Sequence, residues 1–239
     1  MGKNLIQQAR GKGSPRYRSP GFRFKGKVEF AKQGKENITG KVLDLIHCAG
    51  HSSPLAQIKY DNGEETLLQA PEGIMVGDLV KSGENVDLNM GNVLPLKNIP
   101  EGTSVYNIEI NPGDGGKFVR SSGTFAKIVT KMKDKIVVQL PSNKLRDFRP
   151  DCRAMIGMIA GSGRKEKPFL KAGKRYFAMK AKNKLWPQTS GTSMNSVDHP
   201  FGGSSSASKG RPTQASRNAP PGRKVGKIAP KQTGLSKKR

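Results

Sequence analysis

The amino-acid sequence predicts a mainly β protein in which small barrels or sandwiches lie between two basic arms. Three observations lead to this prediction. Short runs of β-branched and apolar residues alternate with turns about every 8–12 residues, as in small barrels and sandwiches. No segment has the apolar spacing of a long amphipathic helix. Apolar residues make up only 33% of the chain, so part of it is expected to lack a core.

The first series of predicted strands occupies 41–48, 55–60 and 64–70, and the segment 74–80 closes it. Asn62-Gly63 lies between the second and third of these runs. Both residues accept positive φ angles, so this pair is a strong signal for a β-hairpin.

The second series is predicted at 104–110, 124–130, 135–140 and 153–160, with turns between the runs at 111–116 and 133–134. The segment 94–100 joins the two series. It contains two prolines, which disfavour the α conformation in the residue before them. We therefore expect this segment to be an extended linker.

Charge is distributed unevenly along the chain. The formal net charge is +25 and the pI is about 10.3, which is typical of a nucleic-acid-binding protein. Residues 1–30 and 161–239 carry most of the excess Lys and Arg, whereas 31–100 contain more acids than bases. A surface that is merely solvated would mix both signs, so the basic arms are predicted to bind a polyanion.

The two arms differ in composition. The stretch 210–239 alternates Lys and Arg with Gly, Pro, Ser and Ala, and it is expected to have no stable structure on its own. The N-terminal arm places Tyr17, Phe22 and Phe24 among cations, which suits stacking on unpaired bases. Alternatively, Phe22 and Phe24 begin the first strand.

Other protein classes fit the sequence poorly. Cys48 and Cys152 do not make a disulfide framework. No apolar run approaches the roughly 20 residues that span a bilayer, and the N-terminus lacks the apolar segment of a signal peptide. We expect a cytoplasmic protein with no membrane partner.

Several segments together resemble one family. Residues 194–203 (MNSVDHPFGG) closely resemble the signature of the second protein of the large ribosomal subunit. Trp186-Pro187 and residues 217–226 (RNAPPGRKVG) resemble its archaeal and eukaryotic branch, in particular the archaeal one, as do residues 2–8 and 141–157. The resemblance covers essentially the whole chain in collinear order.

The resemblance implies an oligonucleotide-binding-type barrel followed by an SH3-like barrel. Placed on this chain, it gives a basic arm at 1–22, the first barrel at 23–90, the second at 91–175 and a basic tail at 176–239. It also implies a primary rRNA-binding protein that supports subunit association and the peptidyl transferase region. Its partners would be large-subunit rRNA, neighbouring ribosomal proteins and the small subunit across the interface. No cofactor is expected, and any Mg²⁺ or K⁺ would be held through the rRNA.

Three departures from the family pattern stand out. His47-Cys48-Ala49-Gly50-His51 replaces the usual His-Asp-Pro-Gly-Arg, so an acid and a base are absent. Ser196 replaces a proline, and Ser204 replaces a glycine. The first departure weakens any inference of RNA contacts at that loop, whereas the other two suggest a slightly altered turn around His199.

The residues predicted to contact rRNA are basic side chains of the arms and of two strand ends, together with one histidine: Arg10, Lys12, Arg16, Arg18, Arg23, Lys25, Lys117, Arg120, Arg153, Lys174, Lys182, His199, Arg217, Arg223 and Lys224.

His199 invites a catalytic interpretation, because Asp198 is adjacent and imidazole titrates near neutral pH. However, sequence neighbours are not a dyad, and no nucleophile arrangement accompanies them. A structural hydrogen bond from His199 to RNA is preferred, and no catalytic residue is predicted.

Three further patterns in the sequence suggest other sites. Cys48, His47, His51 and Cys152 do not have the spacing of a zinc site, so Cys48 is predicted to be a small buried residue and no metal is expected. Gly113-Asp114-Gly115-Gly116-Lys117 lacks the ending of a phosphate loop, which favours a hairpin turn that presents Lys117 and Arg120 to RNA. Trp186 either stacks on a base or caps the second barrel.

Two other functions remain as alternatives. One is an off-ribosome nucleic-acid-binding protein, such as a chaperone or a transcription-associated SH3-like protein. The other is an RNA-modifying enzyme, which would need a cofactor loop or a paired acid and base. The sequence contains neither, so the chain is not expected to be an enzyme.

Overall fold

A computed structural model describes residues 4–32 and 37–231 of the chain. The chain divides into two compact units. Residues 21–170 form one, which we call the barrel unit. Residues 1–20 and 171–239 form the other, which we call the terminal unit. Among the described residues, 4–20 and 171–231 thus belong to one compact unit although they are far apart in the sequence.

The first half of the barrel unit contains four strands, namely Ile38–Ile46 (β1), Leu55–Tyr60 (β2), Glu65–Gln69 (β3) and Leu79–Ser82 (β4). The three neighbouring pairs of strands in this half are antiparallel. The predicted hairpin is confirmed between β2 and β3. Gly63 takes a φ of 82° there, and its N–H donates to the Tyr60 carbonyl at 2.9 Å.

The second half contains six strands, namely Val93–Pro95 (β5), Ser104–Tyr106 (β6), Ala126–Lys131 (β7), Ile136–Gln139 (β8), Leu145–Phe148 (β9) and Arg153–Ile156 (β10). Among the described residues, β1–β10 form one sheet in the order β3-β2-β1-β4-β5-β10-β6-β7-β8-β9. The predicted mainly β class is confirmed.

Two hydrophobic cores fill the barrel unit. The first contains Val42, Leu55 and Ile58, and the second contains Ile128 and Val138. Each such side chain contributes roughly 1.5–3 kcal/mol when it leaves water. Two cores side by side agree with two successive small barrels.

The cores meet at β6 and β10, because successive side chains of a strand point to opposite faces. On β6, Val105 belongs to the second core and Tyr106 to the first. On β10, Met155 belongs to the first core, and Ala154 and Ile156 belong to the second. This two-sided packing explains why every residue of β10 is buried.

The prediction of an extended linker at 94–100 is wrong. Leu94, Leu96 and Ile99 are buried in the second core, with at most 1% of their surface exposed. The segment forms the end of β5 and a 3-10 turn, Leu96–Asn98. The prolines shape this connection but do not remove it from the core.

The terminal unit contains two helices, Ile6–Gly11 (α1) and Ala172–Ala181 (α2). It also contains a short parallel pair of strands, Gln214–Ala215 (β11) and Lys227–Ile228 (β12). Helix α2 was not predicted, because it buries no residue and has no apolar stripe. Its Ala, Lys, Arg and Met residues favour a helix by intrinsic propensity. No helix among the described residues is long and apolar enough to cross a bilayer.

Candidate nucleic-acid interface

The terminal unit is almost entirely cationic. Asp198 is the only acidic residue in 1–20 and 171–239, so most of the basic side chains there have no carboxylate partner in their own unit. In the barrel unit, by contrast, exposed lysines pair with carboxylates. Lys81 contacts Asp87 at 3.1 Å, and Lys135 contacts Asp147 at 2.9 Å. Unpaired cations attract phosphates most strongly, so the terminal unit is the main candidate surface.

The predicted contacts of the N-terminal arm are all exposed: Arg10, Lys12, Arg16, Arg18, Arg23 and Lys25. Arg10 lies in the last turn of α1. The Ser14 carbonyl accepts the Tyr17 and Arg18 N–H groups at 2.9 and 3.1 Å, and this turn projects its basic side chains outward. These residues remain candidates for phosphate contact.

The two phenylalanines of the N-terminal arm are not part of a strand, so that alternative is wrong. Phe22 lies in the 3-10 turn Gly21–Arg23, and 85% of its surface is exposed. The Arg23 guanidinium lies 5.2 Å from its ring centre. Phe24 is half-buried against the first core. Of the two, only Phe22 has a ring free for a base.

The prediction of an RNA contact for Arg153 requires correction. Its side chain is only 8% exposed and pairs with the fully buried Glu109, with Nη2 to Oε1 at 2.9 Å. Its Nη1 donates to the Ala31 carbonyl at 2.8 Å, and the guanidinium lies 5.1 Å from the centre of the Phe30 ring. An enclosed guanidinium with these partners is not available to a phosphate, and its role is structural.

Lys117 and Arg120 differ in their exposure. Lys117 is exposed, as predicted. Arg120 is half-buried, and its Nη2 donates to the Val28 carbonyl at 3.4 Å. Burial lowers the pKa of Arg120. Lys117 therefore remains the stronger candidate of the two.

The glycine-rich loop at 113–117 does not offer its N–H groups to a phosphate. Carboxylates of the protein already accept two of them, because Gly115 donates to Glu109 and Gly116 donates to Asp114. The N–H groups of Asp114 and Lys117 donate to the carbonyls of Asn111 and Ile108. A phosphate would have to displace these carboxylates. The geometry agrees with a structural turn.

Cys48 is fully buried, as predicted. Its Sγ lies 3.2 Å from His51 Nδ1 and accepts the Lys25 N–H at 3.5 Å. Burial, and secondarily the charge of Arg120, lower the pKa of His51, which favours a neutral ring. Within residues 4–32 and 37–231, no group of three or more His, Cys, Asp or Glu side chains is placed to hold a metal.

His199 lies in a tight turn. The Asn195 carbonyl accepts the Asp198 and His199 N–H groups at 2.9 and 3.2 Å, and the His199 carbonyl accepts the Gly202 N–H at 2.9 Å. A Cβ on Gly202 would lie 2.4 Å from the Met194 carbonyl oxygen, so only glycine fits. Ser196 and Ser204 do not abolish this turn.

The His199 ring is held by its own turn. The Phe201 N–H donates to Nδ1 at 3.0 Å, and a Cβ on Gly191 would lie within 2.6 Å of three ring atoms. Because Nδ1 accepts this bond, the proton of the neutral ring is on Nε2. The ring then has no free lone pair for a substrate proton. It can only donate from Nε2, which suits a hydrogen bond to RNA and not a general base.

The remaining predicted contacts lie in the C-terminal part. Lys174, Arg217 and Lys224 are exposed, whereas Lys182 and Arg223 are half-buried. The Arg223 Nη2 atom donates to the Pro212 carbonyl at 3.1 Å, so this guanidinium also stabilises a connection within the terminal unit.

Arg175 and Lys184 are further candidates for phosphate contact that were not among the residues predicted from the sequence. Arg175 lies on α2 with its guanidinium 5.5 Å from the centre of the Trp186 ring, and Lys184 follows the helix. Trp186 itself belongs to the terminal unit, and its stacking on a base stays a prediction. The Lys182-Asn183 pair could have marked a helix end, because Asn is common just after one.

Residues 3–82 match the family model "Ribosomal Proteins L2, RNA binding N-terminal domain". Residues 89–222 match "Ribosomal Proteins L2, C-terminal domain".

Archaeal relatives match over nearly the whole chain. The large ribosomal subunit protein uL2 of Methanosphaera stadtmanae is 54% identical over 238 residues, which cover 98% of this chain and 99% of the relative. The uL2 proteins of Methanothermobacter thermautotrophicus and Archaeoglobus fulgidus are each 52% identical, with the same coverage.

Proposed function

The chain belongs to the ribosomal protein L2 family, and from that premise we propose that its terminal unit anchors it in large-subunit rRNA. Family membership makes the chain a structural, RNA-binding protein of the large ribosomal subunit. The finer proposal is that it binds rRNA directly and supports the peptidyl transferase region and subunit association. In that position it would contact neighbouring ribosomal proteins and face the small subunit, in cytoplasmic ribosomes.

The cationic terminal unit is the observation that carries this proposal. Asp198 is its only acidic residue, and Arg10, Arg16 and Lys224 are exposed. Such a surface repels itself unless a polyanion neutralises it. Exposed cations would neutralise phosphates where RNA helices pack closely.

We propose no chemistry for the chain itself. A general base needs a lone pair within hydrogen-bond reach of the proton that it removes. The Nδ1 lone pair of His199 already accepts the Phe201 N–H. Its Nε2–H can donate to an RNA oxygen, and this donation would help to place the turn at 194–203.

Co-sedimentation tests the proposal. A tagged chain expressed in a related archaeon should be present at one copy per large subunit after the subunits are washed at high salt. If the chain leaves the large subunits in that wash, or sediments without them, it is an off-ribosome nucleic-acid-binding protein and the proposal fails.

A charge-matched pair of variants tests which surface anchors the chain. Replacing Arg10, Arg16 and Arg18 by Gln should lower the occupancy of the subunits, because these exposed cations belong to the terminal unit. The control replaces three lysines by Gln, so that it loses the same charge. These are Lys41, Lys59 and Lys127, which are exposed on the barrel unit. Equal losses from both triple variants would contradict the assignment of the terminal unit as the anchor.

A further inference from the structure

We infer that a groove within the terminal unit binds one unpaired nucleotide of the RNA, with its base against aromatic rings and its phosphate on arginine and lysine. This inference rests on the proposed function and deepens it, since it assigns base contact to one defined site. Phosphate neutralisation alone requires no such site.

One wall of the groove follows from the way α2 ends. The Lys184 N–H donates to the Met179 carbonyl at 2.9 Å, and the Asn183 N–H donates to the Lys180 carbonyl at 3.0 Å. Asn183 has a φ of 51°, which asparagine tolerates better than most residues. This pattern is the Schellman motif, which stops a helix and reverses the chain. The reversal returns Trp186 to α2, where the Arg175 guanidinium lies over its ring.

The N-terminal segment supplies the opposite wall. The turn that is closed by the Ser14 carbonyl presents Arg16 and Tyr17, and α1 presents Arg10. The groove between these walls has a volume of about 570 Å³, within the roughly 300–1,000 Å³ of ligand sites. The side chains that carry its chemistry are Arg10, Arg16, Tyr17, Arg175, Lys184 and Trp186.

The lining of the groove contains cations and aromatic rings, which match the phosphate and the base of a nucleotide. No carboxylate lines the described groove, whereas four cations do. Tyr17 and Trp186 are half-buried, so each ring is held in place yet keeps accessible surface. A base stacks on such rings and its phosphate meets the cations. The Asn183 side chain, which also lines the groove, offers a donor and an acceptor to the edge of the base.

Other polyanions match the groove less well. An acidic peptide would satisfy the cations but would leave Tyr17 and Trp186 without a flat partner. Duplex RNA would present phosphates while its bases remained stacked inside the helix. An unpaired nucleotide in a loop or a bulge satisfies both parts of the lining.

The chain has a single tryptophan, so its fluorescence reports on this groove directly. The full-length protein is titrated with an RNA hairpin that has an adenosine loop, and with the same hairpin carrying an abasic loop of equal charge. We expect the adenosine loop to quench Trp186 and the abasic loop to leave it nearly unchanged. Because this comparison uses the unaltered protein, it does not depend on a variant that folds.

Variants test the contribution of each ring. Tyr17→Leu and Trp186→Leu should each weaken binding of a labelled adenosine-loop hairpin by roughly 5- to 150-fold, the range that corresponds to one lost stacking contact. Affinity for the abasic hairpin should stay the same. The matched control is Phe177→Leu, which removes a 67% exposed aromatic ring of α2 that does not line the groove.

Each result decides between the hypotheses. Equal binding and equal quenching by the adenosine and abasic loops would overturn the inference that the groove binds a base. The proposed anchoring of the chain through phosphate contacts would stand. If neither hairpin bound, both proposals would fail. A glutamate-rich peptide that quenched Trp186 and displaced the adenosine loop would assign the groove to a protein partner instead.

Discussion

At Arg153 a single side chain joins separate parts of the barrel unit. It pairs with Glu109 and donates to the Ala31 carbonyl, which is far away in sequence. The sequence places Arg153 close to Arg146 and Arg149, which suggests phosphate contact, although Asp147 and Asp151 are also nearby. Burial changes its role, because a charge removed from water must have a partner within the protein.

Arg153→Met should therefore destabilise the barrel unit. The substitution keeps most of the volume but leaves the Glu109 carboxylate buried without its partner, at a cost of about 3–5 kcal/mol. Denaturant unfolding of the full chain measures the loss. As a control, Lys135→Met breaks an exposed pair with Asp147 and should cost at most about 1 kcal/mol. Similar losses from both variants would mean that the buried pair has no special role.

His199→Gln should leave peptide transfer largely intact. Glutamine can still donate a hydrogen bond but cannot act as a base, and loss of a true base would slow the chemical step roughly 10²–10⁴-fold. His199→Ala should instead impair assembly, since one hydrogen bond and the ring contacts are lost, at roughly 1–3 kcal/mol.

The measurement for His199 is single-turnover peptide transfer on fully assembled particles that carry each variant. Particle composition is checked in parallel. A hundredfold slower reaction with normal composition in His199→Gln particles would contradict the structural role of the ring.

At the scale of elements, sequence patterns predicted best where one face of a strand is buried and the other is not. Strand β2 matches its predicted bounds, because the buried Ala56, Ile58 and Tyr60 alternate with Gln57 and Lys59, and the adjacent Asn62-Gly63 pair fixes the turn. The basic arms were predicted from charge alone. Most of their predicted contact residues are exposed, and their contacts with RNA stay a prediction.

The elements that were missed lack such patterns. Strand β9 buries only Phe148 and contains Arg146 and Asp147, so it has no apolar period. Helix α2 buries nothing. The groove beside it could not be predicted either, because residues 10–17 and residues 175–188 line it together. These segments are far apart in the sequence, and neither one shows this contact on its own.

Substitutions at two glycines of the 111–116 turn distinguish the cost of backbone strain from the cost of a steric clash. Gly113 and Gly116 both have positive φ, at 82° and 89°. A Cβ on Gly113 meets nothing within 4 Å, whereas one on Gly116 would lie 2.3 Å from Asn107 Oδ1. Gly113→Ala should cost about 1–2 kcal/mol from strain alone, and Gly116→Ala at least about 1 kcal/mol more. Thermal or denaturant midpoints of the two variants test this, and equal midpoints would contradict it.

At the scale of the whole molecule, the hydrophobic cores and the excess positive charge lie in different units. The barrel unit has two cores and several ion pairs, whereas the terminal unit buries little apolar surface and concentrates cations. The first arrangement stabilises a fold by itself. We expect the second to gain stability when a polyanion offsets its repulsion.

Salt should therefore weaken RNA binding steeply. If six to ten phosphates are contacted, affinity should fall roughly 10³–10⁵-fold between about 50 and 200 mM salt. Replacing Arg16 by Gln should reduce the slope of log affinity against log salt by about one. Lys97→Gln is the control, because Lys97 already pairs with Glu84 and Asp151. A shallow slope, or equal changes in both variants, would refute dominance by phosphate contacts.

The position of β10 constrains the order of events while the chain is being synthesised. β10 is the last strand of the sheet to be made, yet it inserts between β5 and β6 and belongs to both cores. Until residues 153–156 leave the exit tunnel, β5 and β6 each keep an unpaired edge, and the Glu109 carboxylate lacks its cation. Neither barrel can therefore close before the other. A nascent chain stalled before residue 153 would expose strand edges that favour aggregation, and it would depend on chaperones until the strand arrives.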